Sequence, residues 1–174
     1  MVSKLENARF VRCGEHEFDS ICFIINEAAA AYRGLIPPAH FTDPYMSRDE
    51  LRLEINAGVE FWGYKENTTV RGVMGIQRIQ DVVLIRHAYT KTEFQGVGIG
   101  SGLLKFLLSR TQRPVLIGTW AGVTRAIEFY RRHGFMIVTN EVKDKLLRQY
   151  WQVPDSQIAG SVVLANVPLE SLKL

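Results

Sequence analysis

Apolar side chains recur along this chain with two periods, and the switches between them mark its elements. Residues 8–12 alternate polar and apolar, which predicts an edge-type first strand. Over residues 15–32, Phe18, Ile21, Cys22, Ile25, Ala28, Ala29 and Tyr32 recur at three- and four-residue steps and predict a helix with one buried face. Gly34 ends it. Pro37, Pro38 and Pro44 exclude a helix from the segment that follows. Ser47 and Glu50 form a capping box, with Met46 and Leu51 at the staple positions, so a short helix should begin at Arg48 and end at Gly58. Strands are predicted over 59–65, 70–80 and 81–90, with Glu66, Asn67 and Thr68 in the first turn. A helix to about Thr111, a strand over 115–120, a helix over 124–133 and a strand over 135–139 come next. A helix over 141–151, with Val142, Leu146, Leu147 and Tyr150 on one side, a loop over 154–160 and a strand over 161–167 complete the pattern.

Hairpins first and crossover helices later predict an α/β fold of the mixed α+β kind. Its central sheet should be mostly antiparallel and covered by helices on both faces. A length of 174 residues suits one domain over 1–174 with one core. No internal repeat, linker or low-complexity tract interrupts it.

One segment carries chemistry. Gln95-Gly96-Val97-Gly98-Ile99-Gly100-Ser101-Gly102 joins a predicted strand to a predicted helix. Glycines let backbone approach a ligand closely, and the first amides of a helix lack internal partners and sit at the positive end of its dipole. A phosphate or pyrophosphate suits such a place. The dinucleotide fingerprint G-x-G-x-x-G fails, because its third glycine would fall at Ser101 or Leu103, and the strand over 115–120 carries no acid. The P-loop pattern fails because no Gly-Lys pair occurs. A third pattern, Gln/Arg-x-x-Gly-x-Gly/Ala, is met by Gln95, Gly98 and Gly100.

On these residues the chain resembles the GCN5-related N-acetyltransferases, the GNAT family. A second segment, Ala126-Ile127-Glu128-Phe129-Tyr130-Arg131-Arg132-His133-Gly134-Phe135, resembles the family's A-x-x-F-Y-x-x-x-G-F stretch and lies downstream by the length of one strand. The resemblance runs from Phe10 to about Val167 and implies a GNAT-like acyl-CoA N-acyltransferase fold. The helix over 141–151 is an addition to the family's minimal pattern. The implied activity is transfer of an acetyl group from acetyl-CoA, as co-substrate, to a primary amine of a small molecule or peptide, by direct attack of the amine on the thioester. By resemblance, Gln95, Gly96, Val97, Gly98, Ile99, Gly100 and Ser101 cradle the pyrophosphate. Ala88, Tyr89 and Thr90 pair with the pantetheine arm, provided the strand over 115–120 splays away there. Ala126 and Phe129 complete the coenzyme site.

Four tasks are set by the reaction: holding the thioester, deprotonating the amine, stabilising the oxyanion and protonating the thiolate. Tyr130 matches the family tyrosine, and a phenol with an ordinary pKa near ~10 is protonated and able to donate at neutral pH. The alternative for Tyr130 is a core aromatic. His87 is the candidate base, since an ordinary imidazole titrates near ~6.5; the alternative is a hydrogen-bonded core histidine. Glu60 is a second candidate, against an ordinary strand carboxylate. Arg86 suits an acceptor carboxylate or, alternatively, an internal ion pair. The family often has asparagine where this chain has Val123; Thr119 and Thr124 are candidate substitutes. His16, His40 and His133 are expected at the surface or in loops, and Arg131 and Arg132 on a solvated face. Candidate aromatic residues for an acceptor pocket are Phe41, Tyr45, Trp62, Tyr64, Tyr150 and Trp151, and for each of them core packing is the favoured alternative.

Composition trims the alternatives. The net charge of +3 is scattered rather than striped, which argues against nucleic acid. Cys13 and Cys22 have no metal-ligand spacing and are expected to be reduced small hydrophobes, so no metal is implied. The first seven residues show no apolar signal region and no run is long enough to span a membrane, so the cytoplasm is expected. A homodimer is the default assembly. Two other functions stay open: a non-catalytic acyl-CoA-binding or regulatory module, which Val123 allows, and a dinucleotide binder, which the glycine spacing disfavours.

Overall fold

A computed structural model describes residues 8–172, so the opening segment considered for a signal sequence lies outside it. Its strands are β1 (Ala8–Arg12), β2 (Val59–Glu66), β3 (Thr69–Ile79), β4 (Val82–Thr90), β5 (Val115–Trp120), β6 (Met136–Ile137) and β7 (Ser161–Ala165). Its α-helices are α1 (Phe18–Ala29), α2 (Arg48–Asn56), α3 (Ile99–Leu108), α4 (Thr124–Arg131), α5 (Asn140–Leu146) and α6 (Asp155–Ala159). The strands form one seven-stranded mixed sheet in the order β1-β2-β3-β4-β5-β7-β6. The pairs β1–β2, β2–β3, β5–β7 and β6–β7 are antiparallel and β4–β5 is parallel.

Among the described residues the chain separates into two compact units. The first holds everything up to Ala30, Asp43–Gln77 and Arg86–Thr111. Here α1 and α2 bury Phe18, Ile21, Ile24, Ile25 and Leu51 against Val59, Phe61, Val70 and Val73. The capping box forms as expected: the Glu50 amide donates to Ser47 Oγ and the Ser47 amide donates to the Glu50 carboxylate. Met46 and Leu51, the staple pair, are both buried in that cluster. The alternate residues of β2 face α3, where the Trp62 ring lies 5.2 Å from Phe106. Burial on both faces explains why the middle of β3, from Val73 to Ile76, holds apolar residues and glycine without alternation.

The second unit holds Ala31–Thr42, Arg78–Ile85 and everything from Gln112. Its core sets Val82, Leu84, Leu116, Val163 and Ala165 against Leu146, Leu147, Tyr150 and Ile158. Tyr150, an expected pocket aromatic, is part of this core, and its hydroxyl donates to Asp81 Oδ1 at 2.9 Å. Trp151 packs on Gly118, where an added Cβ would come 3.2 Å from the indole.

Three expected elements differ. The loop over 154–160 contains α6, whose one buried side chain, Ile158, is too short a signal for a period. The helix over 141–151 is α5 followed by a π-helical turn at Leu147–Trp151, ended by Gln152 at φ 53°. The strand over 135–139 shrinks to Met136–Ile137, with Val138 donating its amide to Val163. Both cysteines are free. Burial, with the charge of Glu17, pushes the Cys13 thiol up to about 12, against the pull of Lys65. No helix among the described residues is long and apolar enough to cross a membrane.

Candidate coenzyme site and polar cluster

The glycine segment begins where β4 ends. Gln95 Nε2 donates to the Thr90 carbonyl at 3.0 Å, and the Lys91 amide donates to the Arg71 carbonyl at 3.0 Å. From α1, the Glu27 carboxylate accepts the Thr92 amide at 3.0 Å. These three bonds fix the strand end from which the loop departs. Gly96 and Gly98 then take φ of 80° and 95°, where an L side chain is strained. A Cβ at either would meet nothing within 4 Å, so this side of the loop is open space.

Gly98 is the N-cap of α3 and supplies no side-chain cap. The helix ladder starts with the Gly102 amide on the Gly98 carbonyl at 2.9 Å, so the amides of Ile99, Gly100 and Ser101 precede the ladder. Gly96, Val97 and Gly98 are exposed, whereas the Ile99 side chain is buried against Gly72. Only the backbone of Ile99 is therefore available to a ligand. Gly102 has a different reason to be glycine: an added Cβ would stand 2.8 Å from the Phe10 ring. It serves the packing of α3 on β1, which the spacing alone did not reveal.

Ala88, Tyr89 and Thr90 form the end of β4. The ladder of β4 with β5 comprises Val83↔Val115, Leu84↔Leu116 and Ile85↔Ile117 and stops there, while β5 continues to Trp120 paired with β7. Tyr89 packs on the α1–α2 core.

β4 does not alternate regularly at the position of the candidate base. His87 has φ 50°, a left-handed backbone in mid-strand. The consequence is visible in the side chains: neighbours in a strand point to opposite faces, yet Arg86 and His87 both reach Glu54 on α2. Gly75 makes room for the irregularity, because a Cβ there would lie 2.9 Å from the Arg86 carbonyl oxygen. Arg86 Nη2 donates to Glu54 Oε1 at 2.8 Å and Nη1 donates to Gln77 Oε1 at 3.0 Å. Gln77 in turn donates to the Ala57 carbonyl at the end of α2. Arg86 is thus held in an internal ion pair rather than left for an acceptor carboxylate. Burial pushes the Glu54 carboxyl up, but the His87 contact and the Arg86 charge outweigh it and hold it below its ordinary value. Burial lowers Arg86, with Glu54 opposing. The His87 ring stacks at 6.0 Å on Phe61. Glu54, which completes this cluster, gave no signal in the sequence, where it is one acid among several on an amphipathic helix.

In the second unit, α4 carries Ala126, Phe129 and Tyr130. Tyr130 is buried edge-on between Phe129 at 5.0 Å and Phe135 at 5.8 Å. Burial, and secondarily Tyr32, drives its phenol well above the ordinary tyrosine value, so it is a neutral donor at any moderate pH. Val123 is the N-cap of α4, at φ −90° and ψ 65°, with its side chain buried and no side-chain cap. His40, expected at the surface or in a loop, stacks at 4.9 Å on Trp120. His133 Nδ1 sits 2.7 Å from the Phe129 carbonyl. Phe41 lies under the Arg33 guanidinium and Trp62 under that of Arg110. Tyr64 packs 5.9 Å from Phe10. Glu60 pairs with Arg12 at 3.4 Å across the first hairpin. Packing or pairing therefore accounts for each of these. Among the described residues no group of three His, Cys, Asp or Glu side chains is arranged to hold a metal.

The fold has counterparts among known proteins. A family model described as "Acetyltransferase (GNAT) domain" matches residues 25–149. No curated protein matches the chain. Among solved structures, the PaiA N-acetyltransferase of Thermoplasma acidophilum in complex with coenzyme A is similar, with TM-score 0.66 and 14% identity over 92% of this chain and 99% of that one. The ribosomal-protein-S18-alanine N-acetyltransferase of Escherichia coli gives TM-score 0.65 and 16% identity over 96% and 99%. YncA of Salmonella typhimurium, solved with acetyl-CoA, gives TM-score 0.58 and 20% identity over 77% and 82%. These likenesses carry the fold, and the family model carries membership. The chain belongs to the GNAT acetyltransferase family.

Proposed function

We propose that residues 1–174 act as one acetyl-CoA-dependent N-acetyltransferase domain that acetylates a primary amine of a small molecule or peptide in the cytoplasm. The observation that carries this reading is the start of α3, with two left-handed glycines, no side-chain cap and open space before its first amides. Those features fit the pyrophosphate of the coenzyme. The amides of Gly96 to Ser101 hold it, and the end of β4 at Ala88, Tyr89 and Thr90 takes the pantetheine arm. Backbone amides at that strand end also face the oxygen on which negative charge develops. His87 accepts the proton that the amine nitrogen loses as its bond to the acetyl carbon forms. The C–S bond breaks, and the Tyr130 hydroxyl gives its proton to the departing sulfur. Burial keeps the Tyr130 phenol protonated, so its hydroxyl has a hydrogen to offer the departing sulfur, while the same burial makes it a weaker acid than an ordinary tyrosine.

Release of free thiol from acetyl-CoA across a panel of amines tests the activity. Tyr130→Phe should lower kcat about a hundredfold and leave coenzyme affinity within about twofold. Unchanged turnover would remove Tyr130 from the mechanism. One observation favours a second reading, a non-catalytic acyl-CoA-binding module: Val123 offers no polar group where the family often has asparagine. Calorimetric binding of coenzyme A with no turnover on any amine would select it.

A further inference from the structure

The His87 ring and Glu54 share a feature that simple packing does not explain. Glu54 has two oxygens and two different neighbours. Oε1 is taken by the Arg86 guanidinium at 2.8 Å. Oε2 lies 3.4 Å from His87 Nε2, longer than an ideal hydrogen bond, and among the described residues neither of these buried atoms has a hydrogen-bond partner. Two otherwise unsatisfied polar atoms, one an acceptor, therefore face each other in the interior. An imidazole that turned a lone pair toward the carboxylate would place two acceptors against each other; one that turns an N–H toward it satisfies both.

The rest of the cluster makes this choice rigid. Arg86 is itself anchored by Gln77, and Gln77 by the Ala57 carbonyl that ends α2. The carboxylate is thus held from one side before His87 meets it from the other. The left-handed backbone at His87 is what brings both Arg86 and His87 to the same carboxylate, and Gly75 is what permits it. Strain retained at one residue of a strand, with a glycine opposite to accommodate it, is an arrangement that clusters at functional sites.

We infer that Glu54 is a positioning residue: it fixes His87 as the tautomer protonated at Nε2 and so leaves Nδ1 as the nitrogen that takes the amine proton. This rests on the transferase reading for what Nδ1 does, but not for which nitrogen carries the proton. In the transfer, the amine lone pair forms the bond to the acetyl carbon, the N–H pair stays on nitrogen as the proton goes to Nδ1, and the C–S pair leaves with the sulfur. His87 becomes cationic beside Glu54, whose second oxygen is already shared with Arg86.

Long-range nitrogen–proton NMR of the full chain, labelled at histidine, reads the tautomer directly. The neutral ring of His87 should show a protonated Nε2 and a bare Nδ1, and Glu54→Gln should change that signature. A neutral ring protonated at Nδ1 in the wild-type protein overturns the proposal, whatever happens to the variant. The wild-type spectrum also guards against a variant that does not fold, since Glu54→Gln leaves Arg86 without its carboxylate. In kinetics, Glu54→Gln should lower kcat roughly tenfold with the KM for acetyl-CoA nearly unchanged, and His87→Gln should lower it further. Unchanged kcat in both variants overturns the catalytic half of the proposal. Absence of turnover by the wild type on every amine would fail the transferase reading instead, and the NMR would still decide the tautomer.

Discussion

Among the described residues, α3 and α4 are two of the four α-helices that begin without a side-chain cap, and they begin differently. α3 starts at Gly98, exposed and left-handed, with nothing near its backbone on one side. α4 starts at Val123, whose side chain is buried and whose backbone does the fastening: its amide donates to the Trp120 carbonyl at 3.0 Å, and its carbonyl accepts from Ala126 and Ile127. Just before it, a Cβ on Gly122 would run into the Leu35 carbonyl oxygen. An uncapped helix start is thus not in itself a binding site. What distinguishes α3 is access: its glycines create room, whereas Gly122 consumes it. The first start suits a ligand, and the second suits the burial of Tyr130 about two turns along.

Exchanging glycines for alanine separates the two most sharply. Gly122→Ala forces backbone against backbone, so the chain must shift. A loss of about 3 kcal/mol follows, or a Tm lower by about 6–12 °C in calorimetry. An unchanged Tm would show that the Leu35 segment yields freely and that α4 is not packed as described. Gly98→Ala meets no atom but must hold a left-handed backbone, at a cost of roughly 1–2 kcal/mol and a few degrees of Tm. Its larger effect should fall on the ligand, with coenzyme A affinity down at least about tenfold by titration calorimetry. A variant that loses stability and keeps full affinity would move the coenzyme away from α3.

The contrast also marks what the sequence could reveal. The strand–glycine–helix order, the capping box at Ser47 and the α1 face were legible because each is a short-range pattern with one physical cause. Gly102 was not separable from Gly98, since composition does not distinguish a glycine needed for φ from one needed for space against Phe10. Nor was the cluster at Glu54, because it depends on a left-handed residue that breaks the period-two alternation on which strand faces are assigned. The packing of Tyr150 and Trp151, rather than a place beside an acceptor, was hard to read for a related reason. Tyr150 and Trp151 sit on a π-helical turn whose offset directs them into the core, against Asp81 and Gly118.

The mildest test addresses the family departure at Val123. Asparagine there would add a capping oxygen, worth about 0.5–1 kcal/mol where the cap backbone is extended. The backbone at Val123 is not: ψ is 65°, outside the extended range in which an N-cap side chain meets the second and third amides. Against that small gain stands the loss of a buried valine, worth about 1.5 kcal/mol or more. Val123→Asn should therefore destabilise the protein by about 1 kcal/mol, or roughly 2–4 °C of Tm. It should leave coenzyme A affinity within about twofold, because α4 begins as a packed end. If the same substitution instead tightens coenzyme binding severalfold, the start of α4 faces the donor as the start of α3 does. The difference between the two helices would then be one side chain rather than a difference of architecture.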